Sequence, residues 1–238
     1  MSDQHILSAY DRDLESIQAM IMKMGGQVEA AIRDAVRALE TRDSDLAMKV
    51  RVGDRAIDEL EQLINEQTAR IIALRSPTAV DLRVVLSVMK ISANLERCGD
   101  FAKNISKRTG VLLESPPIES TAATVRRMAR QTELMLKDAL DAYIHRDPQL
   151  AESVIDRDVD VDQMYNTLFR ELLTHMMEDP RHITACMHLH FIAKNIERIG
   201  DRVTNIAEQT VYMVTGELPT EKRAKADHTA TETIDFGA

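Results

Sequence analysis

The chain has 238 residues, of which 44% are hydrophobic and 29% are charged, a balance typical of a folded globular protein. Its formal net charge of −9 argues against a general nucleic-acid binder, and its 3% aromatic content argues against a base-stacking surface. Few aromatic residues and glycines, together with 13 methionines, favour an all-α fold over a sheet. The sequence shows no signal peptide and no apolar run of membrane-spanning length, so we expect a cytoplasmic protein.

The second half of the chain repeats the first. Residues 94–105, NLERCGDFAKNI, return at 195–206 as NIERIGDRVTNI, with seven of the twelve positions identical. Two shorter landmarks, Arg42-Asp43 and Ser76-Pro77, have counterparts 104 and 103 positions later. Three landmarks in the same order at a nearly constant offset indicate a tandem duplication.

Three helices are predicted in each copy. The first helix of the first copy carries an apolar stripe from Leu14 to Ala31 at steps of three and four residues, which is typical of a helix packed on a core. Small polar or acidic residues, most of them followed by Pro, are predicted to cap the second and third helices. The predicted caps are Asp43 and Asp147 for the second helices, and Ser76 and Asp179 for the third helices.

The third helix of each copy has the clearest apolar stripe, from Val84 to Ile105 and from Ala185 to Ile206. Alternating steps of four and three imply helices that pack at a shallow crossing angle. We therefore predict two tandem three-helix bundles, and we expect each third helix to make its longest-ranging contact with its own two neighbours. The predicted boundaries are 1–115 for the first repeat, 116–215 for the second, and 216–238 for a polar, mobile tail, with the join at Ser115-Pro116-Pro117.

Acidic residues four positions apart, which share one face of a helix, occur at equivalent places in both copies. The pairs are Asp54 and Asp58, Glu96 and Asp100, Asp158 and Asp162, and Glu197 and Asp201. Because Leu95 and Cys98 lie on the apolar stripe, Glu96 and Asp100 are expected to point mostly toward solvent.

This arrangement permits an exposed metal site on the outer face of each bundle, where the acids of the second and third helices meet. Carboxylate oxygens suit hard divalent ions, and iron also fits. Asn104 and Asn205, two turns beyond the glutamates, could add amide oxygens. The spacing alone leaves a second interpretation open, in which the acids only decorate a solvated face.

Gly99 and Gly200 fall inside the third helices, and the favoured interpretation is close approach of a neighbouring helix. The sequence contains no Gly-rich phosphate loop, no Gly-x-Ser-x-Gly elbow and no His-Glu-x-x-His motif. We therefore predict that the protein is not an enzyme and has no catalytic residues.

Several segments resemble the duplicated pattern of the PhoU family. The resemblance covers roughly residues 8 to 215, in the family's order. It rests on Glu96-Arg-Cys-Gly-Asp100 and Glu197-Arg-Ile-Gly-Asp201, each followed by an Asn-Ile pair, and on residues 24–29, 77–83, 161–163 and 176–179.

The resemblance implies two three-helix bundles and multinuclear metal clusters held by the acidic pairs, with Fe, Mn, Mg, Zn or Ca as candidate ions. It also implies a cytoplasmic negative regulator of the phosphate-starvation response, which acts with the ATPase subunit of the phosphate-specific ABC transporter and with a sensor histidine kinase. Such a protein is expected to be a homodimer and to reach the membrane only through its partners. Two alternatives remain: an accessory protein of a low-affinity phosphate transporter, and a hydrolase that uses a carboxylate-bound metal.

Overall fold

The computed structural model describes residues 2–116, 118, 121–219, 226, 227 and 229, and the side chains from residue 10 onward. Within those ranges all regular structure is helical, and no strand is present. The helices are α1 (Ser2–Thr41), α2 (Ser44–Arg75), α3 (Val80–Leu112), α4 (Thr121–His145), α5 (Pro148–Asp156), α6 (Asp158–Glu178) and α7 (Ile183–Thr215), with a 3₁₀ turn at Pro180–His182 before α7.

These helices form two bundles, one from α1 to α3 and the other from α4 to α7, which confirms the predicted all-α fold class and the tandem repeat. In the second bundle, α5 and α6 together take the place that α2 holds in the first, because the helix is interrupted at Arg157. The boundaries 1–115, 116–215 and 216–238 stay predictions. Pro117 and most of the predicted tail lie outside the described residues.

The predicted caps of the second helices are confirmed. The Asp43 carboxylate accepts hydrogen bonds from two backbone N–H groups of the first turn of α2, and the Asp147 carboxylate accepts one from the first turn of α5. These contacts satisfy donors that have no partner within the helix.

The predicted starts of the third helices are wrong by a few residues. Ser76 ends α2 in a left-handed conformation, with φ of 47°, and α3 begins only at Val80. The residue before a proline avoids the right-handed helical region, which explains why Pro77 separates the two helices. Asp179 caps the 3₁₀ turn that precedes α7, so α7 itself begins at Ile183.

The apolar stripes of α3 and α7 are buried along their whole predicted length, as expected. The most extensive contact between any two helices in the described part of the chain joins α3 to α7, across the two repeats. Each third helix packs on the other helices of its own repeat, as expected, and the contact between α3 and α7 across the repeats is a feature that the sequence did not predict. Polar and aromatic side chains outside the stripe contribute to this contact: Asn205 Nδ2 donates to Asn94 Oδ1 at 3.5 Å, and the Arg198 guanidinium lies 5.9 Å from the Phe101 ring centre.

The pairing of α3 with α7 places the two repeats around a shared core, to which all seven α-helices contribute buried or partly buried apolar residues. The two helices run antiparallel, because contacts farther along α3 meet residues nearer the start of α7, as in Asn94 with Asn205 and Arg108 with His188. No helix of the described chain has an apolar stretch long enough to cross a membrane.

Candidate functional site

Two glycines, Gly99 of α3 and Gly200 of α7, allow a neighbouring helix to approach closely. The neighbour is α2 at Gly99 and α6 at Gly200. A Cβ atom added at Gly99 would lie 3.0 Å from Ile57 Cδ1 and 3.4 Å from Asp54 Oδ1. A Cβ atom added at Gly200 would lie 3.0 Å from Asp158 Oδ1. The prediction that these glycines permit close approach of a neighbouring helix is confirmed, and in both repeats the neighbour that approaches carries an aspartate.

The first acid cluster, defined here as Asp54, Asp58, Glu96 and Asp100, lies between α2 and α3. Lys103 is a counter-ion for two of its members. Its ammonium donates a hydrogen bond to Asp54 within an ion pair, and it lies 3.5 Å from Asp100 Oδ1. Asp54 is buried against α3, so the lysine compensates a carboxylate that has lost most of its water. The hydrogen bond that Lys103 donates to Asp54 in turn raises the pKa of Lys103 above its ordinary value.

Repulsion and burial both act on the other members of the first acid cluster. Burial raises the pKa of Glu96 to about 7, and the neighbouring charge of Asp100 adds to that effect. Burial, followed by the charge of Asp54, also raises the pKa of Asp58. Each shift means that the ionised carboxylate is disfavoured where it stands, and a further cation would relieve that cost.

The second acid cluster, defined here as Asp158, Asp162, Glu197 and Asp201, lies between α6 and α7 and is more deeply buried. Burial raises the pKa of Glu197 to about 7. Lys194 is its counter-ion, with Nζ 3.0 Å from Glu197 Oε2. The position equivalent to Lys103 is occupied by Thr204, whose hydroxyl donates to the Gly200 and Asp201 carbonyl oxygens of its own helix.

Residues close to the C-terminus complete the second acid cluster. The Ala226 backbone N–H donates to Asp162 Oδ2 at 2.9 Å, and Asn166 Nδ2 donates to the Ala226 carbonyl oxygen at 2.5 Å. Asp227 Oδ2 lies 2.7 Å from Lys194 Nζ, on the other side of the same cluster. The second acid cluster thus contacts a lysine and a backbone N–H from the segment near residue 226. The first contacts Lys103 and also Arg97, whose guanidinium lies 3.5 Å from Glu96 Oε2 and 3.3 Å from Asp100 Oδ2.

The expectation that the acids face solvent on the outer surfaces of the bundles is wrong for half of them. Four are nearly inaccessible, and Glu96 and Asp100 are only partly exposed. For Asp54 and Asp158 the physical reason is the glycine at the helix crossing, which lets a carboxylate pack where a larger residue would keep the helices apart. Asp162 contacts the Ala226 N–H, and Glu197 contacts Lys194. The buried members are Asp54, Asp158, Asp162 and Glu197, with exposed fractions of 4%, 1%, 2% and 4%.

Asn104 and Asn205 lie in the grooves between α3 and α7. The Asn104 side-chain oxygen accepts a hydrogen bond from Lys107 Nζ at 3.4 Å, and the Asn205 amide contacts Asn94 of the other repeat. Their contribution to a metal site stays a prediction.

Within the described ranges, no three His, Cys, Asp or Glu side chains converge closely enough to hold a metal ion as they stand. The cations that these acids contact include Lys103 and Arg97 in the first acid cluster and Lys194 in the second. Lys103, Lys194 and Asp227 were not among the site residues predicted from the sequence. The lysines had a usable signal, since Lys103 follows Asp100 by three positions and Lys194 precedes Glu197 by three, the spacing of helix ion pairs. The contact of Asp227 with Lys194 had no comparable signal in the sequence, because the two residues are 33 positions apart.

The protein is thus an all-helical protein with two similar bundles in tandem. Each bundle has a buried acid cluster that packs against a glycine of a neighbouring helix. A sequence profile described as the PhoU domain matches residues 21–109 and again residues 125–210. The chain therefore belongs to the PhoU family, and each repeat corresponds to one PhoU domain.

Named relatives and solved structures agree with this assignment. A phosphate-specific transport system accessory protein PhoU homolog from Caulobacter vibrioides is 47% identical over 94% of this chain and 97% of its own length. Its counterpart from Rhizobium meliloti is 46% identical over 97% of this chain and 98% of its own. The crystal structure of PhoU from Pseudomonas aeruginosa superposes with a TM-score of 0.85 at 40% identity, covering 87% of this chain and all of that one. The phosphate transport system regulatory protein PhoU from Streptococcus pneumoniae gives 0.82 at 31% identity, covering 88% of this chain and 98% of that one.

The close approach at Gly200 predicts an unusual response to alanine. Alanine normally stabilises a helix interior by about 1 kcal/mol relative to glycine. At Gly200 the added Cβ would press on a buried aspartate, so we expect Gly200→Ala to lower the free energy of unfolding by about 1 to 2 kcal/mol. Gly110 of α3 has no atom within 4 Å of the added Cβ, so Gly110→Ala should raise it. Urea denaturation of the two variants measures both effects, and equal stabilisation by both would contradict the packing described here.

Proposed function

We propose that this protein is a cytoplasmic negative regulator of the phosphate-starvation response. It acts as an adaptor between the ATPase subunit of a phosphate-specific ABC transporter and a membrane sensor histidine kinase. The observation that carries the proposal is the near-full-length match to relatives named as accessory proteins of phosphate-specific transport. A structural neighbour named as a regulatory protein of the phosphate transport system adds to it.

The proposal gives the helical surface a role in binding and no role in catalysis. A rigid pair of bundles with a shared core offers large, stable faces on which two different partners can dock. The protein is proposed to be a homodimer and to contact the membrane only through its partners. Two alternatives remain, an accessory protein of a low-affinity transporter and a metal-dependent hydrolase. For either one, expression of the phosphate-starvation genes after deletion would not depend on the kinase.

We further propose that each acid cluster takes a divalent or iron-type cation, with Fe, Mn, Mg, Zn and Ca as candidates. The donor set fits such ions, because carboxylate oxygens are their preferred ligands. The raised pKa values of Glu96 and Glu197 support the proposal, since they mark carboxylates whose ionised form lacks enough positive charge nearby. A bound cation would contribute that charge and stabilise the ionised acids.

Deletion of the gene tests the regulatory role. Without the protein, the kinase should remain active, so phosphate-starvation genes should be expressed even in phosphate-rich medium. The measurement is a reporter fused to a starvation promoter, in the deletion strain and in a strain that carries the intact gene on a plasmid. Continued repression in the deletion strain would contradict the regulatory role, and loss of repression that does not depend on the kinase would favour the alternatives.

Metal content of a double variant tests the role of the first acid cluster. Replacing Glu96 and Asp100 with alanine should remove the metal bound there, while the second acid cluster serves as the internal control. Thermal stability of the metal-free variant should change little or rise, because burial and repulsion disfavour the ionised Glu96. Elemental analysis of the purified protein gives the stoichiometry. An unchanged metal content would show that these acids do not bind it.

A further inference from the structure

A basic groove lies between α3 and α7, next to the ion pair of Lys194 with Glu197 of the second acid cluster. It encloses about 610 Å³, a volume typical of small-molecule sites. The C-terminal half of α3 forms one wall and the N-terminal half of α7 forms the other, so the groove exists only because the two repeats pack together. We define the basic groove by Lys107, Arg108, His188, Phe191, Asn195 and Arg198.

Three cations of the basic groove lack an acidic partner among the described residues. Lys107 contacts only the Asn104 amide oxygen, at 3.4 Å. Arg108 contacts the His188 ring at 3.5 Å and lies 4.1 Å from the Phe191 ring centre. Arg198 lies over an aromatic ring. In a chain with a net charge of −9, such a concentration of uncompensated positive charge is a local field that attracts anions.

The duplication supplies a built-in comparison. The position 101 residues from Lys107 is Glu208, and the position 101 residues from Arg108 is Gln209. Both line a second groove of about 470 Å³ farther along the α3 and α7 pair, beside the N-terminal half of α3 and the C-terminal half of α7. In that second groove the charges balance, with three acids and three bases. These are Glu61, Glu96, Glu208, Lys90, Arg97 and Arg202. The backbone frame is shared by the two grooves, so the excess positive charge of the basic groove is a property of its side chains and not of the fold.

One end of the basic groove already holds an acidic group. Lys194, which also lines the groove, is paired with Asp227 and Glu197 and therefore contributes little net charge. The remaining cations come from both walls, with Lys107 and Arg108 on α3 and Arg198 on α7. A ligand that satisfies all three must carry several negative charges along a short length.

We propose that the basic groove binds a small soluble anion with a chain of two or more phosphate groups. Guanidinium groups bind phosphate oxygens with paired hydrogen bonds, and a lysine adds a point charge. The side-chain amide of Asn195 donates one N–H to the Phe191 carbonyl oxygen at 2.6 Å, which leaves its second N–H as a further donor in the same groove. A single orthophosphate satisfies fewer of these groups than a chain that reaches from one wall to the other. The inference is independent of the regulatory proposal, because it rests only on the groove.

Calorimetric titration of the full chain with sodium tripolyphosphate tests the proposal. The buffer contains EDTA, so that metal at the acid clusters does not contribute. One tripolyphosphate should bind per chain, at least tenfold more tightly than orthophosphate or sulfate. A parallel titration with ATP identifies the source of the phosphates. Equal affinity for ATP indicates recognition of the phosphate chain alone, and tighter binding of ATP indicates a nucleotide whose base also contacts the groove.

Variants that import residues from the second groove provide the specificity test. Lys107→Glu and Arg108→Gln should each weaken tripolyphosphate binding at least tenfold, while Lys90→Gln, which removes one charge from the second groove, should leave it within twofold. Lys90 and Lys107 are both exposed, so neither change should disturb folding, and circular dichroism and the melting temperature check this. Arg108→Lys keeps the positive charge but loses the paired N–H donors of the guanidinium group, so it should weaken binding less than Arg108→Gln does.

Four results would overturn the proposal. Tripolyphosphate that binds no more tightly than orthophosphate would show no chain recognition. Equal weakening by Lys90→Gln and Lys107→Glu would show general attraction to positive charge. Unchanged binding in Lys107→Glu and Arg108→Gln would place the anion elsewhere. Equal affinity for a Glu-rich peptide would mean that the groove receives an acidic protein.

Discussion

Carboxylates held between closely packed helices are the constraint on which the rest of this structure depends. Gly99 and Gly200 let an acidic helix approach α3 or α7, and the aspartate that arrives there loses most of its water. A buried carboxylate without a partner costs several kcal/mol, so each cluster requires positive charge or hydrogen-bond donors. The positions of Lys103 and Lys194, and the contact of Ala226 with the second acid cluster, all follow from that requirement.

The two repeats meet the same requirement with different residues. In the first acid cluster the lysine is Lys103, three residues after Asp100. In the second it is Lys194, three residues before Glu197, and the backbone N–H of Ala226 also contributes a hydrogen bond. Divergence after duplication has also separated the two grooves beside α3 and α7, one balanced in charge and one basic. The duplicated fold thus carries two grooves of related geometry and different charge.

Much of this architecture could be predicted from sequence, because the apolar stripes of α3 and α7 and the caps Asp43 and Asp147 are local signals. The acids of both clusters were also identified, since their spacing repeats. Their burial could not be predicted, because it depends on which helix approaches a glycine. The contact between α3 and α7 was missed for a similar reason: polar side chains such as Asn94 and Asn205 contribute to it and leave no apolar period in the sequence.

If the acid clusters require a cation, then metal should replace a missing lysine. The most direct measurement is the free energy of unfolding of Lys103→Met with increasing divalent metal. Without metal this variant should lose about 1 to 3 kcal/mol, because Asp54 remains buried without its counter-ion. Added metal should restore stability by mass action, and by more than it stabilises the unaltered chain, where the lysine competes for the same oxygens. A variant whose stability is unaffected by the change, or is lost and not restored by any divalent ion, would contradict the account.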